Sequence, residues 1–134
     1  MLSITAIILT YNEELHIRRC IENLMQVCQT VYVVDSYSKD RTCQIASELG
    51  AVVLQNKYVN QAQQCQWALD NCPIKTDWTL RMDADEYLSD ALVDEIRKKT
   101  IDLPASITGV NFLLYKYLLV ARGYLLFYHI FLFL

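Results

Sequence analysis

"TVYVVDSYSKDRTCQIASELGAVVLQ", residues 30–55, holds a strand, a helix and a second strand with no room for anything else. Residues 30–36 are almost continuously apolar and rich in β-branched side chains, the composition of a strand buried on both faces. Residues 38–50 carry helical spacing and end at Gly50, where a helix places its left-handed C′ residue. "AVVLQ" (51–55) returns to strand. Strands that stay apolar without alternating need cover on both sides, which a parallel sheet with crossover helices supplies. The same unit recurs outward in both directions. "SITAIIL" (3–9) is a strand, and in "TYNEELHIRRCIENLMQV" (10–27) Leu15, Ile17, Ile21, Leu24 and Met25 lie near helical spacing. Asn12 is the expected N-cap there, with Glu13 and Glu14 at the positive end of the helix dipole. "NQAQQCQWALDNC" (60–72) is a third helix closed by Pro73, and "DWTLRMDAD" (77–85) a fourth strand. "SDALVDEIRKKT" (89–100) is a fourth helix opened by Ser89. The order is that of an α/β domain with parallel, Rossmann-like β-α-β units.

With 134 residues, 54% of them apolar and 20% charged, the chain suits one globular domain. A net charge of −3 with no basic run gives no electrostatic basis for binding nucleic acid. Cys20, Cys28, Cys43, Cys65 and Cys72 are odd in number and contain no CxxC, which fits reduced, mostly buried thiols in a cytoplasmic setting. The start, "MLSITAIILTYNEE", lacks the basic region and the long apolar run of a signal peptide. Glycines at 50, 109 and 123 alone rule out both a GxGxxG dinucleotide loop and a Walker loop.

In open α/β sheets, ligands bind beyond the carboxyl ends of the strands. Polar groups gather there three times: Thr10-Tyr11-Asn12-Glu13, Asp35-Ser36, and Asp83-Ala84-Asp85. Residues i and i+2 of an extended segment face the same way, so Asp83 and Asp85 can converge on one hard divalent cation, Mg²⁺ or Mn²⁺. The alternative is an acidic turn capping the next helix. Other bland roles stand beside the functional ones: an interfacial ring for Tyr11, a dipole partner for Glu13, turn caps for Asp35 and Asp40. Glu86, Asp90 and Glu95 read as a solvated face, and His16 and His129 as structural histidines.

"AIILTYNEE", "VVDSYSKDRT" and "LRMDADEYL", in this order and at these separations, resemble the family 2 glycosyltransferases. "NQAQQCQWALDN" and "DWTLRMDADEYLSDALVDEI" are similar to the branch that includes lipopolysaccharide-core β-1,4-glucosyltransferases. The resemblance covers residues 3 to about 100 and implies a GT-A fold, a nucleotide-sugar donor, UDP-linked in that branch, a glycan or lipid-linked acceptor, and a divalent metal. It implies that Thr10, Tyr11 and Glu13 line the nucleoside pocket, with Tyr11 stacking on the base, and that Asp35 bonds base or ribose. Asp83 is implied as a ribose or metal contact and Asp85 as the principal metal ligand. Asn60, Gln61 and Gln64 occupy the helix that often carries a basic nucleotide contact; Gln64 is the residue carried over.

The chain departs from the pattern after about residue 107. Family members run well beyond 200 residues, and their second half supplies the acceptor site and the catalytic base. The expected division is therefore an incomplete GT-A half over 1–106 and an apolar tail over 107–134. That tail holds all four phenylalanines, and no acidic residue follows Asp102. It reads as a frameshifted sequence or as a membrane segment over 118–134, associated with the inner membrane, with Arg122 a costly interruption. Two rival functions remain open on sequence: a haloacid-dehalogenase-type phosphatase, and a non-catalytic, membrane-tethered nucleotide-binding remnant.

Overall fold

The computed structural model describes residues 3–99, 103–104, 106–107, 109–116 and 126–133. Strands β1 (Ile4–Thr10), β2 (Thr30–Asp35), β3 (Val52–Gln55) and β4 (Trp78–Asp83) alternate with helices α1 (Ile17–Leu24), α2 (Thr42–Glu48), α3 (Gln61–Asn71) and α4 (Asp90–Lys99). Two further strands follow, β5 (Gly109–Lys116) and β6 (Leu126–Phe133). The sheet order is β3-β2-β1-β4-β6-β5. The first four strands are parallel, and β6 joins β4 antiparallel through Thr79↔Phe133 and Leu80↔Leu132.

The apolar runs divide between two faces. Ile4, Ala6 and Ile8 of β1 point with Val31, Val33, Leu80 and Met82 into the larger core, which α1, α2 and α4 close with Ile17, Cys20, Ile21, Leu24, Ile45, Val93 and Ile96. Ile7, Tyr32 and Val34 face the other way, toward Ala68 and Cys72 at α3. Fully burying one such aliphatic side chain stabilises by roughly 1.5–3 kcal/mol, so the sheet is held from both sides. Strand order runs outward from β1 in both directions, which puts the topological switch point between β1 and β4.

Ser89 and Gly50 mark helix ends as the sequence reading has them: Ser89 Oγ accepts from Leu92 N at 3.2 Å at the start of α4. Asn60, read as the first residue of the third helix, is instead the cap of α3 and accepts from Gln63 N. Gly50 sits at φ 85, with Gly50 N bonded to Ser47 O and Ala51 N to Ala46 O, the paired bonds of a Schellman motif. Two helices start later than their spacing predicts. Asn12 does not cap α1: it adopts φ 53, and the helix begins at Ile17. Residues 38–41 lie outside α2. In both places polar side chains draw the backbone into long-range bonds in place of a first helical turn.

Of the segment 118–134 weighed as a membrane helix, residues 126–133 are strand β6, and 118–125 lie outside the described residues. Among the described residues no helix is long and apolar enough to cross a membrane.

Candidate functional site

The carboxyl ends of β1, β2 and β4 bring Thr10, Asp35 and Asp83 to one edge of the sheet. Thr10 pairs in register with Asp35, and Leu9 with Asp83. Asp35 is fully buried. Its carboxylate accepts from Thr10 Oγ1 at 2.9 Å, Ser38 N at 2.8 Å and Ser38 Oγ at 2.5 Å, with a longer contact from Gln55 Nε2 at 3.4 Å. Burial pushes this carboxyl up, but hydrogen bonds from Ser38, Cys43 and Thr10 outweigh it and hold the pKa below the ordinary 3.8. Asp35 is thus an ionised anchor that joins β1 to the loop after β2.

That loop is interlocked with the one after β1. Asn12 N donates to Ser38 Oγ at 2.7 Å, and Lys39 N donates back to Asn12 Oδ1 at 2.8 Å. Glu13 N donates to Thr42 Oγ1, Glu14 N to Asp40 Oδ2, and Arg41 N to Glu14 Oε2. Asp40 Oδ1 also accepts from Thr42 N, so its expected turn-capping role is observed. Tyr11 and Tyr37 are left more than half exposed on this clasp, Tyr37 at φ 61, a strained backbone for a bulky residue. The Glu13 carboxylate meets His16 Nδ1 at 3.0 Å, which gives that histidine a local partner.

Gln64 is buried rather than open to a ligand. Its Oε1 accepts from Asn56 Nδ2 at 2.8 Å, and its Nε2 donates to Asn56 O and Ser36 Oγ. It fastens α3 to the ends of β2 and β3. Asn60 caps α3, as above, and Gln61 is its exposed first residue.

Strand β4 ends at Asp83, and Ala84 and Asp85 form a turn. The extended i, i+2 geometry expected for the two aspartates therefore stops at the first of them. Glu86 closes the turn: its N donates to Asp83 O, and its Oε2 accepts from Asp83 N at 3.0 Å. Glu86 is half-buried, not part of a solvated face, while Asp90 and Glu95 are not buried. Burial first, then the charges of Asp83 and Asp85, raise the Glu86 pKa against the opposing Asp83 amide and Arg81. Asn23 pins this segment to α1 by bonding both Leu88 N and Leu88 O. Arg19 adds a bond to Asp85 O at 3.3 Å and lies 4.6 Å from the centroid of the Tyr87 ring.

Asp83 is 47% exposed and takes Arg81 Nη2 on Oδ1 at 2.8 Å. Asp85 is exposed, and its carboxylate has no hydrogen-bond partner among the described residues. No group of three His, Cys, Asp or Glu among them is arranged to hold a metal ion. A hard divalent cation that takes one or two carboxylates and completes its shell with phosphate oxygens and water needs no such group, so Asp85 and Asp83 fit one chemically.

Ser38, Asn12, Asp40, Arg81 and Arg19 were not singled out as site residues from sequence. Ser38 stands three residues after Asp35, the spacing of a side-chain turn, and Arg81 is a lone cation inside an apolar strand. Those signals were available; the Asn12–Lys39 pairing between distant loops was not.

The Glycosyl transferase family 2 profile matches residues 5–128. An uncharacterized glycosyltransferase of Rickettsia bellii is 43% identical over 93 residues, covering 69% of this chain and 31% of the relative. The lipopolysaccharide core biosynthesis glycosyltransferase LpsC of Rhizobium meliloti is 33% identical over 96 residues, 68% of this chain and 34% of LpsC. Among solved structures, the mannosyltransferase PcManGT from Pyrobaculum calidifontis, in complex with GDP-Man and Mn²⁺, superposes with a TM-score of 0.62 at 20% identity. It covers 80% of this chain and 34% of PcManGT. The chain spans about a third of the length of the curated relatives it matches. Neither the phosphatase nor the non-catalytic remnant gains support from these matches.

Proposed function

The chain belongs to glycosyl transferase family 2, with part of a GT-A fold, and on that premise we propose that it is the donor-binding portion of an inverting, metal-dependent transferase. The donor is a nucleoside diphosphate sugar, UDP-linked in the reading we favour, and the acceptor a glycan or lipid-linked saccharide of the cell envelope. The observation that carries the proposal is the convergence of Thr10, Asp35 and Asp83 at the carboxyl ends of three parallel strands around the β1/β4 switch point, with Asp85 exposed in the turn that follows β4.

In this reading Tyr11, exposed on the loop clasp, stacks on the base. Thr10 and Asp35 hold the floor beneath it, with Glu13 at its rim and Gln64 bracing the far wall. Asp85, with Asp83, holds a divalent cation that would stabilise charge on the departing diphosphate. The general base that takes the acceptor's proton lies in the remainder of the protein. PcManGT was solved with a nucleotide sugar and Mn²⁺, and LpsC is named for lipopolysaccharide core biosynthesis. Both lend support to these assignments.

Calorimetric titration of the 134-residue chain with UDP and GDP, with and without Mn²⁺, tests the proposal. Binding that requires Mn²⁺ and is lost in a folded Asp85→Ala variant is expected. Binding unaffected by that substitution would sink the metal assignment.

A further inference from the structure

We propose that Arg81 is the phosphate-binding cation of the donor site, held by Asp83 when the site is empty and released to the diphosphate when Asp83 turns to the metal or ribose; this rests on the donor-site reading above. Arg81 is the only Lys or Arg in β1–β4. It lies in a parallel strand, with a side chain only 28% exposed. A cation kept there is costly unless its donors are satisfied.

They are not all satisfied. Nη2 donates to Asp83 Oδ1 at 2.8 Å, whereas Nε is buried with no partner. The orphaned Nε donor costs free energy in the resting rotamer, a cost relieved when the guanidinium turns to an acceptor that Nε can reach. Residues 81 and 83 alternate with Leu80 and Met82, which point into the larger core, so Arg81 and Asp83 share the opposite face. That is the face α3 covers, and Arg81 lies near Cys65 of α3, where its charge opposes the burial that raises the thiol pKa. Helix α3 contributes no cation of its own.

The pair is therefore poised for an exchange of partners. When a divalent cation draws the Asp83 carboxylate, Arg81 loses its counter-charge beside a new positive centre. Diphosphate oxygens offer the replacement, and the planar guanidinium fork matches them with two parallel N–H donors.

A ladder of uridine, UMP and UDP, with guanosine, GMP and GDP alongside, is titrated with Mn²⁺ into the 134-residue chain, into Arg81→Gln and into Arg81→Lys. Arg81→Gln is expected to weaken diphosphate binding on the order of tenfold to a hundredfold while nucleoside binding stays unchanged. Equal affinity of Arg81→Gln and wild type for the diphosphate would overturn the assignment. So would a parallel loss for nucleoside and diphosphate, which marks a purely structural residue. If thermal unfolding shows that Arg81→Gln does not fold, Arg81→Lys decides. It keeps the charge but not the fork, so a loss of about tenfold confined to the diphosphate supports the proposal and an unchanged ladder refutes it. Absence of binding by the wild-type chain to every rung defeats the donor-site reading itself, a result distinct from all of these.

Discussion

Replacing Asp35 tests how the nucleoside end of the site is built. In Asp35→Ala the half-buried Ser38 amide loses its acceptor, and the Thr10 and Ser38 hydroxyls lose theirs. A hydrogen bond to a charged group contributes about 1.5–3 kcal/mol, and an orphaned buried donor costs about 1–3 kcal/mol. The two hydroxyls can rotate toward other acceptors, but the amide cannot, so we expect a total loss of about 3–5 kcal/mol. In Asp35→Asn the carbonyl oxygen still serves the Ser38 amide, and the NH₂ group can donate to a turned hydroxyl. The cost there is about 1–2 kcal/mol. Against a typical domain stability of about 5–15 kcal/mol, the alanine variant is severely weakened and the asparagine variant is not. The pH dependence gives an independent check. The Asp35 pKa is lowered in the folded state, so its stabilisation is present above the ordinary value of 3.8 and lost as pH falls through the lower folded value. The gap between wild type and Asp35→Asn should hold steady from neutral pH down to about 5 and narrow below 3.8. Urea unfolding of the three proteins across that range is the assay. A loss below about 1 kcal/mol in Asp35→Ala, or a gap that widens with acid, would refute the reasoning.

Glu86 has the opposite sign: its pKa is raised, so the ionised side chain weakens the fold as pH climbs past the ordinary 4.5. Glu86→Gln, which can still accept from Asp83 N, is expected to match or exceed wild-type stability at pH 7 and to lose that advantage below 4.5, as read by thermal melts at several pH values. Gly50→Ala should cost about 1–2 kcal/mol in urea unfolding. The cause is φ 85 and not crowding, because an added Cβ would meet only Met25 Cε at 3.9 Å.

The parallel sheet was legible because hydrophobic runs bounded by polar residues leave few alternatives, and the end of α3 and the start of α4 announced themselves through Pro73 and Ser89. The starts of α1 and α2 were not. Asn12, Glu14, Ser38 and Asp40 carry the composition of helix caps, and only the meeting of two loops 26 residues apart in sequence shows that they bond to each other instead. Glu86 was misread for a related reason. A carboxylate in a charged run looks solvated until the turn at Ala84 folds it back onto Asp83 N. Thr10, Asp35 and Asp83 could be placed at one edge of the sheet because strand ends are easy to locate. The side-chain directions of Gln64 and Arg81 depend on how α3 docks, which no local pattern encodes.

The clasp between residues 12–14 and 38–42 has a consequence for recognition. Backbone donors from both loops are tied reciprocally to side chains of the other, so neither can open alone. Loops that must order around a ligand spend part of its affinity on lost conformational entropy; here that ordering is complete once the chain folds. A base seated on Tyr11 would meet a preorganised surface, and its affinity should fall with temperature in step with the folded population, not with the melting of a separate lid.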